Sequence, residues 1–212
     1  MLKAYSQTKN RFYGEAVVKS CIENNAHYLD ISGEPEFIER MMEKYSDAAS
    51  EKGVIVVSAC GFDSIPSDIG TVYNESQFPK DVVPVSVEAF LNVVAEKANF
   101  TTYECAVHGV ANTNALTELR RSSRYSKIHV PYAGSKLKRK GIYFYDNRIQ
   151  KYCMTFPGSD AAIVRRSQAQ IVENGQNISP VYFGAYFVLP SVWALLKVLI
   201  FGSFFQVLCV YC

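Results

Sequence analysis

A chain of 212 residues is long enough for one large domain or two small ones, each with a hydrophobic core. Apolar residues make up 49% and charged residues 20% of the sequence, which excludes an intrinsically disordered chain. The formal net charge of +2 is too small to indicate nucleic acid or another strongly charged partner. The six cysteines are scattered among apolar neighbours, which favours reduced, buried thiols over a disulfide framework.

The first third of the sequence predicts helices alternating with strands. We expect helices at 14–25, 35–52 and 64–75, and strands at 27–31 and 54–57. The second strand is a run of β-branched residues without polar alternation, which predicts a strand buried on both faces of a parallel sheet. A turn and a proline, Pro35 or Pro66, follow each strand at the expected helix start. This order predicts an α/β fold containing half of a doubly wound parallel sheet.

The turn after the second strand is the main candidate for a site. Residues 60–70 read Cys-Gly-Phe-Asp-Ser-Ile-Pro-Ser-Asp-Ile-Gly, and α/β proteins bind ligands at this carboxyl edge of the sheet. Ser64 can cap the following helix, and Asp63 and Asp68 lie near its positive end. The local chemistry leaves two interpretations open, in which these residues only cap a helix or also line a ligand site.

A change in composition near residues 77–81 predicts a second unit of α+β class. We expect strands at 85–94, 143–145, 152–156 and 180–189, and helices at 101–109, 114–124 and 160–173. The aromatic strands 143–145 and 152–156 are expected to pair with each other. Two basic clusters also belong to this region, one around residues 120–127 and one at 136–140.

Residues 189–212 are apolar, and only Lys197 and Gln206 interrupt them strongly. A helix that crosses a bilayer needs about 20 apolar residues, so this stretch predicts a membrane-associated segment. The alternative is a core helix or strand pair that is covered by residues beyond Cys212. If the segment 189–212 associates with a membrane, the basic run 136–140 fits an anionic lipid surface, although on its own such a run is more often a solvated turn. The predicted domains are therefore 1–78, 79–188 and 189–212.

Several motifs argue against particular chemistries. The sequence has no Gly-x-Gly, so it contains neither the dinucleotide phosphate fingerprint nor a P-loop. Tyr132 and Lys136 match the spacing of short-chain reductases, but Pro131 and Gly134 oppose the helix which that chemistry needs. The three histidines are scattered, and no metal site is expected. No pattern identifies a catalytic residue.

With these residues in view, the chain resembles the saccharopine dehydrogenase-like oxidoreductase family. The resemblance rests on residues 11–18, 21–24, 28–37, 60–70, 158–160 and 164–167 and on the apolar segment. It implies a Rossmann-like, NAD(P)-dependent oxidoreductase that associates with lipid droplets or other membranes and is linked to lipid metabolism. It also implies a cofactor side formed by Tyr13, Gly14, Ser32, Gly33 and Glu34, and a substrate side formed by Phe62, Asp63, Ser64 and Pro66.

The sequence also departs from the family. Members of the family begin with a strand, a glycine loop and a helix, where this chain has the polar residues 1–10. We therefore expect a fragment or an alternative product that binds NAD(P) weakly or not at all. Three hypotheses stay open: an oxidoreductase acting on a lipid-like or amino-acid-like small molecule, a non-catalytic membrane-anchored protein, and a fragment that does not fold stably.

The resemblance also sets the expected location and partners. We expect membrane association on the cytosolic face, at a lipid droplet, the mitochondrion or the endoplasmic reticulum. A membrane or lipid surface and a small-molecule substrate are the expected partners, with no nucleic acid. A homodimer also stays open.

Overall fold

The computed structural model describes residues 13–62, 64–93, 107–109, 111–123, 127–176, 179–197 and 200. The helices are α1 (Glu15–Glu23), α2 (Pro35–Glu51), α3 (Ile65–Ser76), α4 (Thr113–Ser122) and α5 (Asp160–Glu173). The strands are β1 (Tyr28–Leu29), β2 (Val56–Val57), β3 (Ser86–Leu91), β4 (Tyr143–Asp146), β5 (Lys151–Thr155) and β6 (Tyr182–Leu189). Each of these helices and strands lies where the sequence predicts one, within a few residues. Most of the helix predicted at 101–109 lies outside the described residues, and residues 107–109 are helical.

The chain folds into two compact units that interleave along the sequence. The first unit takes its described residues from Met1–Gly70, Ala98–Val130 and Gly158–Asn177. The second takes them from Thr71–Lys97, Pro131–Pro157 and Ile178–Cys212. The chain therefore passes repeatedly from one unit to the other.

The first unit is built on the parallel pair β1 and β2, in which Tyr28 pairs with Val56 and Leu29 with Val57. Helices α1 and α2 cover one face of this pair, and the parallel strands between helices confirm the α/β class. Their apolar stripes meet the inward residues of the strands in one buried cluster. Its members are Val18, Cys21, Ile22, Tyr28, Phe37, Ile38, Met41, Ala49, Val54 and Ala59.

The opposite face of this sheet is more exposed than the sequence predicts. The run 54–57 is predicted to be buried on both faces, yet Ile55 is 56% and Val57 41% exposed. Leu29 and Ile31, which alternate with the buried Tyr28 and Asp30, are exposed on the same face. Among the described residues, apolar side chains thus lie open on one side of a sheet whose other side is packed against helices.

Ion pairs fasten the helices of the first unit to one another. Glu15, at the start of α1, accepts hydrogen bonds from Arg40, Lys44 and Tyr45 of α2. The hydrogen bond from Lys44 holds the pKa of the Glu15 carboxyl below its usual range. The guanidinium of Arg120 on α4 binds both carboxylate oxygens of Glu39 on α2. The contacts of Glu15 hold the amino end of α1, where two of the predicted site residues lie.

The second unit contains a four-stranded sheet in the order β3-β6-β5-β4. Strands β3 and β6 are parallel, whereas β6 with β5 and β5 with β4 are antiparallel. The predicted pairing of the aromatic strands is confirmed, since Tyr143 lies opposite Met154 and Tyr145 opposite Tyr152. The predicted strands 85–94 and 180–189 correspond to β3 and β6.

A charged cluster occupies the same sheet. The Lys140 ammonium lies 2.6 Å from a Glu88 oxygen and 3.0 Å from an Asp146 oxygen. It also lies 4.7 Å from the ring centres of both Phe144 and Tyr186. Arg148 also pairs with both carboxylates. We call these side chains the Lys140 cluster, and its members are Glu88, Lys140, Phe144, Asp146, Arg148 and Tyr186. The last cation of the predicted basic run is thus neutralised inside its own unit.

The predicted membrane segment at 189–212 is described only in part. Residues 192–197 are helical, as is residue 200, and most of the remaining segment lies outside the described residues. Among the residues that the structure describes, no helix is both long and apolar enough to cross a membrane.

Candidate functional site at the carboxyl edge of the parallel strands

The Asp30 carboxylate joins the two loops that follow β1 and β2. Its Oδ1 accepts a 2.8 Å bond from the Ser32 N–H and a 3.1 Å bond from the Ala59 N–H. Its Oδ2 accepts a 3.1 Å bond from the Ser58 hydroxyl, and its backbone carbonyl accepts from the Cys60 N–H at 2.7 Å. We call these contacts the Asp30 clamp. They bring both loops to one edge of the sheet, as parallel strands require.

The loop after β1 carries three of the residues on the implied cofactor side. Ser32 is 1% exposed, and its hydroxyl accepts a 3.3 Å bond from the Glu34 N–H. Glu34 is 5% exposed and is the N-cap residue of α2, with Pro35 in the first position of the helix. Gly33 is partly exposed between these two buried residues. A ligand at this loop therefore meets the Gly33 backbone first.

Tyr13 and Gly14 lie at the amino end of α1. Gly14 is the N-cap residue and is buried, whereas Tyr13 is 62% exposed. A helix of nine residues is about 13 Å long, and α1 ends at the turn that enters β1. Because α1 packs along the strand that it precedes, its amino end lies towards the carboxyl end of β1.

The loop after β2 has an unusual backbone. Ala59 has a φ of 61°, a left-handed conformation that costs a non-glycine residue energy, and the Asp30 clamp holds it there. Gly61 lies so close to the first strand loop that an added Cβ would lie 3.3 Å from the Ile31 Cβ. Phe62 is 88% exposed, and Asp63 lies outside the described residues. The loop thus presents an aromatic ring to solvent from a tightly held backbone.

The end of this loop runs into a polar cluster between α3 and α5. The hydroxyls of Ser64 and Ser159 are 2.9 Å apart and are both buried. The Ser67 hydroxyl donates a 2.5 Å bond to Asp160, and the Ser167 hydroxyl donates a 2.8 Å bond to Asp68. We call these side chains the hydroxyl cluster. The Ser64 hydroxyl is thus hydrogen-bonded to Ser159 at the start of α5. Pro66 is exposed in the first turn of α3.

Burial raises the pKa of the Asp68 carboxyl, although the Ser167 hydroxyl and the Arg166 charge act in the opposite direction. Burial also raises the pKa of the Tyr28 phenol, and the neighbouring Asp30 adds to that shift. Tyr28 is therefore neutral at physiological pH and serves as a hydrogen-bonded core residue. The surroundings of the Asp68 carboxyl thus oppose its charge.

The dinucleotide that the family implies can be tested against these helix ends. A pyrophosphate binds at a helix N-terminus that offers free N–H groups and no negative charge. The first turns of α1, α2, α3 and α5 carry Glu15, Glu36, Asp68 and Asp160, respectively. These four helix ends therefore do not fit a pyrophosphate, which agrees with the lack of a glycine-rich loop in the sequence.

The same structure was searched for a metal site and for a ligand cavity. Among the described residues, no group of three or more His, Cys, Asp or Glu side chains could hold a metal ion. A cavity of about 220 Å³ lies between α2 and β2, below the volume of about 300–1,000 Å³ that drug-sized ligands occupy. Its lining residues are Met41, Tyr45, Ser46, Ala49, Ser50, Val54 and Val56. They lie on α2 and at the amino end of β2, away from the strand-end loops.

Sequence reasoning did not identify Asp30, Ser67 and Asp160 as central to this edge. Asp30 could have been found from its spacing to Ser32, because an aspartate often accepts the N–H two residues later in a turn. The contact of Ser67 with Asp160 spans 93 residues, so no local pattern predicts it. The sequence predicts a turn and a helix start at 158–160, but not the contacts of Ser159 and Asp160 with residues 64 and 67.

Comparisons with known proteins give relatives along most of the chain. A human protein named saccharopine dehydrogenase-like oxidoreductase is 38% identical over 199 residues, which are 92% of this chain. An Arabidopsis thaliana protein named probable mitochondrial saccharopine dehydrogenase-like oxidoreductase is 41% identical over 182 residues, 80% of this chain. A Caenorhabditis elegans protein named lipid droplet localized protein is 37% identical over 188 residues, 85% of this chain.

The matched residues amount to 45%, 39% and 43% of these three relatives, so the chain spans less than half of each. No family model matches the sequence. No solved structure matches it either.

Proposed function

Over the residues that it shares with these relatives, the chain belongs to the saccharopine dehydrogenase-like oxidoreductase family, and on this premise we propose that the carboxyl edge of β1 and β2 takes part in a dinucleotide-dependent oxidoreduction. In this proposal the cofactor side is formed by Tyr13, Gly14, Ser32, Gly33 and Glu34. The substrate side is formed by Phe62, Asp63, Ser64 and Pro66. No reaction step is assigned to these residues.

The Asp30 clamp is the observation that carries this proposal. One carboxylate ties Ser32, in the loop of the implied cofactor side, to Ala59, which begins the loop of the implied substrate side. A hydride acceptor and donor must be held against each other, so two loops with fixed relative positions suit that task. The exposed ring of Phe62 favours a substrate with an apolar part.

The chain is expected to contact only the nicotinamide end of the cofactor. The carboxylates at the first turns of α1, α2, α3 and α5 oppose a pyrophosphate there. We therefore propose that this chain alone binds NADPH weakly, through the backbone around Gly14 and Gly33. The adenosine and pyrophosphate groups find no complementary charge at these helix ends.

A titration of the ¹⁵N-labelled chain followed by NMR tests this proposal. NADPH and reduced nicotinamide mononucleotide should shift the Gly14 and Gly33 amide signals, whereas ADP-ribose should not. Ser32→Ala should weaken the shifts, while Ser46→Ala, whose hydroxyl only bonds the Met42 carbonyl within α2, should leave them unchanged. Unmoved glycine signals in all titrations, or equal shifts with ADP-ribose, would refute the assignment. Micromolar NADPH binding would refute the argument about the helix ends.

A specific observation favours a second property, association with a lipid surface. The helical residues at 192–197 and 200 expose Val192, Trp193, Leu196 and Ile200, while Leu195 is buried. The positions 192, 196 and 200 recur at a spacing of four and thus share one face of a helix. Tryptophan is enriched at the interface between membrane and water. The name of the Caenorhabditis elegans relative agrees with this proposal.

Flotation of the intact chain with phosphatidylcholine vesicles tests the lipid proposal. The chain should float with the vesicles, and Trp193→Ala should reduce the bound fraction. Phe78→Ala removes another exposed aromatic residue, 44% exposed, from the same unit and serves as the matched control. If neither variant differs from the unaltered chain, Trp193 does not contact the lipid.

A further inference from the structure

The basic run at 136–140 contains exposed cations and one partly buried cation, Lys140. Lys140 points into the Lys140 cluster, where Glu88 and Asp146 neutralise it. Lys136, Lys138 and Arg139 are exposed. Among the described residues, none of these three makes an ion pair with a carboxylate within 4.0 Å. Three cations thus face solvent on a short stretch of the second unit.

The backbone that carries these cations is fastened on both sides. On the carboxyl side, the Lys140 cluster ties it to β3 and β4. On the amino side, the ring of Tyr132 stacks on that of Tyr182, with the ring centres 4.5 Å apart. Gly134 has a φ of +68° and lies so close to Val85 that an added Cβ would come within 2.8 Å of that side chain. The loop therefore loses little further conformational entropy when it binds a ligand.

From these contacts we infer that Lys136, Lys138 and Arg139 form a preorganised binding surface for the headgroups of anionic phospholipids. This inference rests on the proposed lipid association, because it names the lipid class that the second unit prefers. Anionic lipids attract clusters of basic residues at the membrane surface. The same unit exposes Trp193 and its apolar neighbours, which a lipid surface accommodates.

Nucleic acid is the other polyanion that three cations could bind, and the structure favours it less. Single-stranded nucleic acid is bound by stacking of its bases on exposed aromatic rings. The aromatic ring on this loop, that of Tyr132, is already stacked on Tyr182. The formal net charge of +2 also gives the chain only a weak long-range attraction for polyanions.

Co-sedimentation of the intact chain with vesicles tests the inference. Binding is measured to vesicles of phosphatidylcholine alone and to vesicles in which phosphatidylserine replaces a third of it. Phosphatidylserine should tighten binding on the order of 10- to 100-fold at low salt, from three basic residues near the surface. That gain should largely disappear at about 0.5 M salt, where electrostatic screening is strong.

Two triple variants isolate the loop. K136Q/K138Q/R139Q should lose the gain from phosphatidylserine and keep the binding to phosphatidylcholine alone. K19Q/K80Q/K151Q, which removes the same number of exposed positive charges elsewhere, should retain most of the gain. Equal loss in both variants would overturn the inference, because net charge rather than the loop would then explain the effect.

The remaining outcomes separate this inference from the proposed lipid association. Equal binding to both vesicle types would overturn the inference and leave the lipid association standing. Binding that requires phosphatidylserine but is unchanged by Trp193→Ala would support the role of the loop and refute the contact of Trp193 with lipid. Absence of binding to both vesicle types would overturn both proposals. Binding to a single-stranded oligonucleotide that the loop variant abolishes, without preference for phosphatidylserine, would assign the loop to nucleic acid instead.

Discussion

Replacing Lys140 by methionine tests the energetics of the second unit. Methionine is close to lysine in length and keeps the apolar contact with Phe144 and Tyr186, but it removes the charge. The ammonium lies 2.6 Å from Glu88 and 3.0 Å from Asp146, whose side chains are 11% and 6% exposed. The substitution therefore leaves two mostly buried carboxylates with one cation fewer.

The expected cost follows from what remains in the Lys140 cluster. Removing one partner of a buried ion pair costs about 3–5 kcal/mol when the other charge is left unpaired. Here Arg148 still binds Glu88 at 2.6 Å and Asp146 at 2.7 Å, so neither carboxylate loses its last partner. Losing the ammonium above two rings costs about 0.5–1 kcal/mol for each ring. We expect Lys140→Met to destabilise the second unit by about 2 kcal/mol.

Hydrogen exchange followed by mass spectrometry measures this effect in each unit separately. A loss of about 2 kcal/mol accelerates exchange through unfolding by about 30-fold. Peptides from β3 and β6 should exchange faster by this factor, whereas peptides from α2 in the first unit should not change. Lys138→Met, an exposed neighbour on the same loop, is the control. An acceleration under about threefold, or the same acceleration in both variants, would refute the reasoning.

The same variant should alter the dependence of stability on pH. The hydrogen bond from Arg148 holds the pKa of Asp146 well below its usual range, and Lys140 contributes. Burial acts to raise the pKa of Glu88, but hydrogen bonds from Arg148 and Lys140 outweigh it and leave that pKa lowered. Lowered carboxyl pKa values stabilise the fold above the unfolded pKa of about 4, and this stability is lost as the pH falls below it. Lys140→Met should lose less stability between neutral pH and acid than the unaltered chain, as thermal unfolding can show.

Four further substitutions test the first unit by urea unfolding. Asp30→Asn weakens the bonds of the Asp30 clamp and should cost about 1–3 kcal/mol, whereas the exposed Asp81→Asn should stay within about 0.5 kcal/mol of the unaltered chain. Ser67→Ala and Asp160→Asn should each cost about 1–3 kcal/mol, and the double variant should cost clearly less than their sum, because both remove the same bond. Burial raises the pKa of Asp68, so its charge destabilises the fold as the pH rises above the unfolded value of about 4. Asp68→Asn should therefore be neutral or stabilising at pH 7, and a loss above about 1 kcal/mol would contradict the sign.

Local patterns determine which elements of this chain could be predicted. The apolar spacing of residues 37–49 requires a helix, and α2 follows it from Pro35 to Glu51. Aromatic residues at 143–145 and 152–156 favour strands, and the few residues between them leave antiparallel pairing as the simple solution. The loops after β1 and β2 were also expected at the same edge of the sheet. The turn residues, the prolines and the order of helices and strands indicate this. These signals act within a few residues, where sequence reasoning is reliable.

The remaining features depend on contacts between distant residues. The β-branched run 54–57 correctly predicts a strand, but burial depends on what covers it, and the exposure of Ile55 and Val57 could not be read from their own sequence. Likewise, Lys140 belongs to a run of similar cations, and its neutralisation depends on Glu88, which lies far away in the sequence. The hydroxyl cluster joins residues that are more than 90 positions apart. Such contacts become visible only once the chain is folded.

The bond between Ser64 and Ser159, which are separated by 95 positions, has a consequence for synthesis on the ribosome. The residues of α3 leave the ribosome long before those of α5 are made. Through the synthesis of nearly a hundred residues, the hydroxyls of Ser64 and Ser67 and the Asp68 carboxylate therefore lack their partners from α5. During that interval the growing chain depends on water, or on a chaperone, for the hydrogen bonds that α5 later supplies.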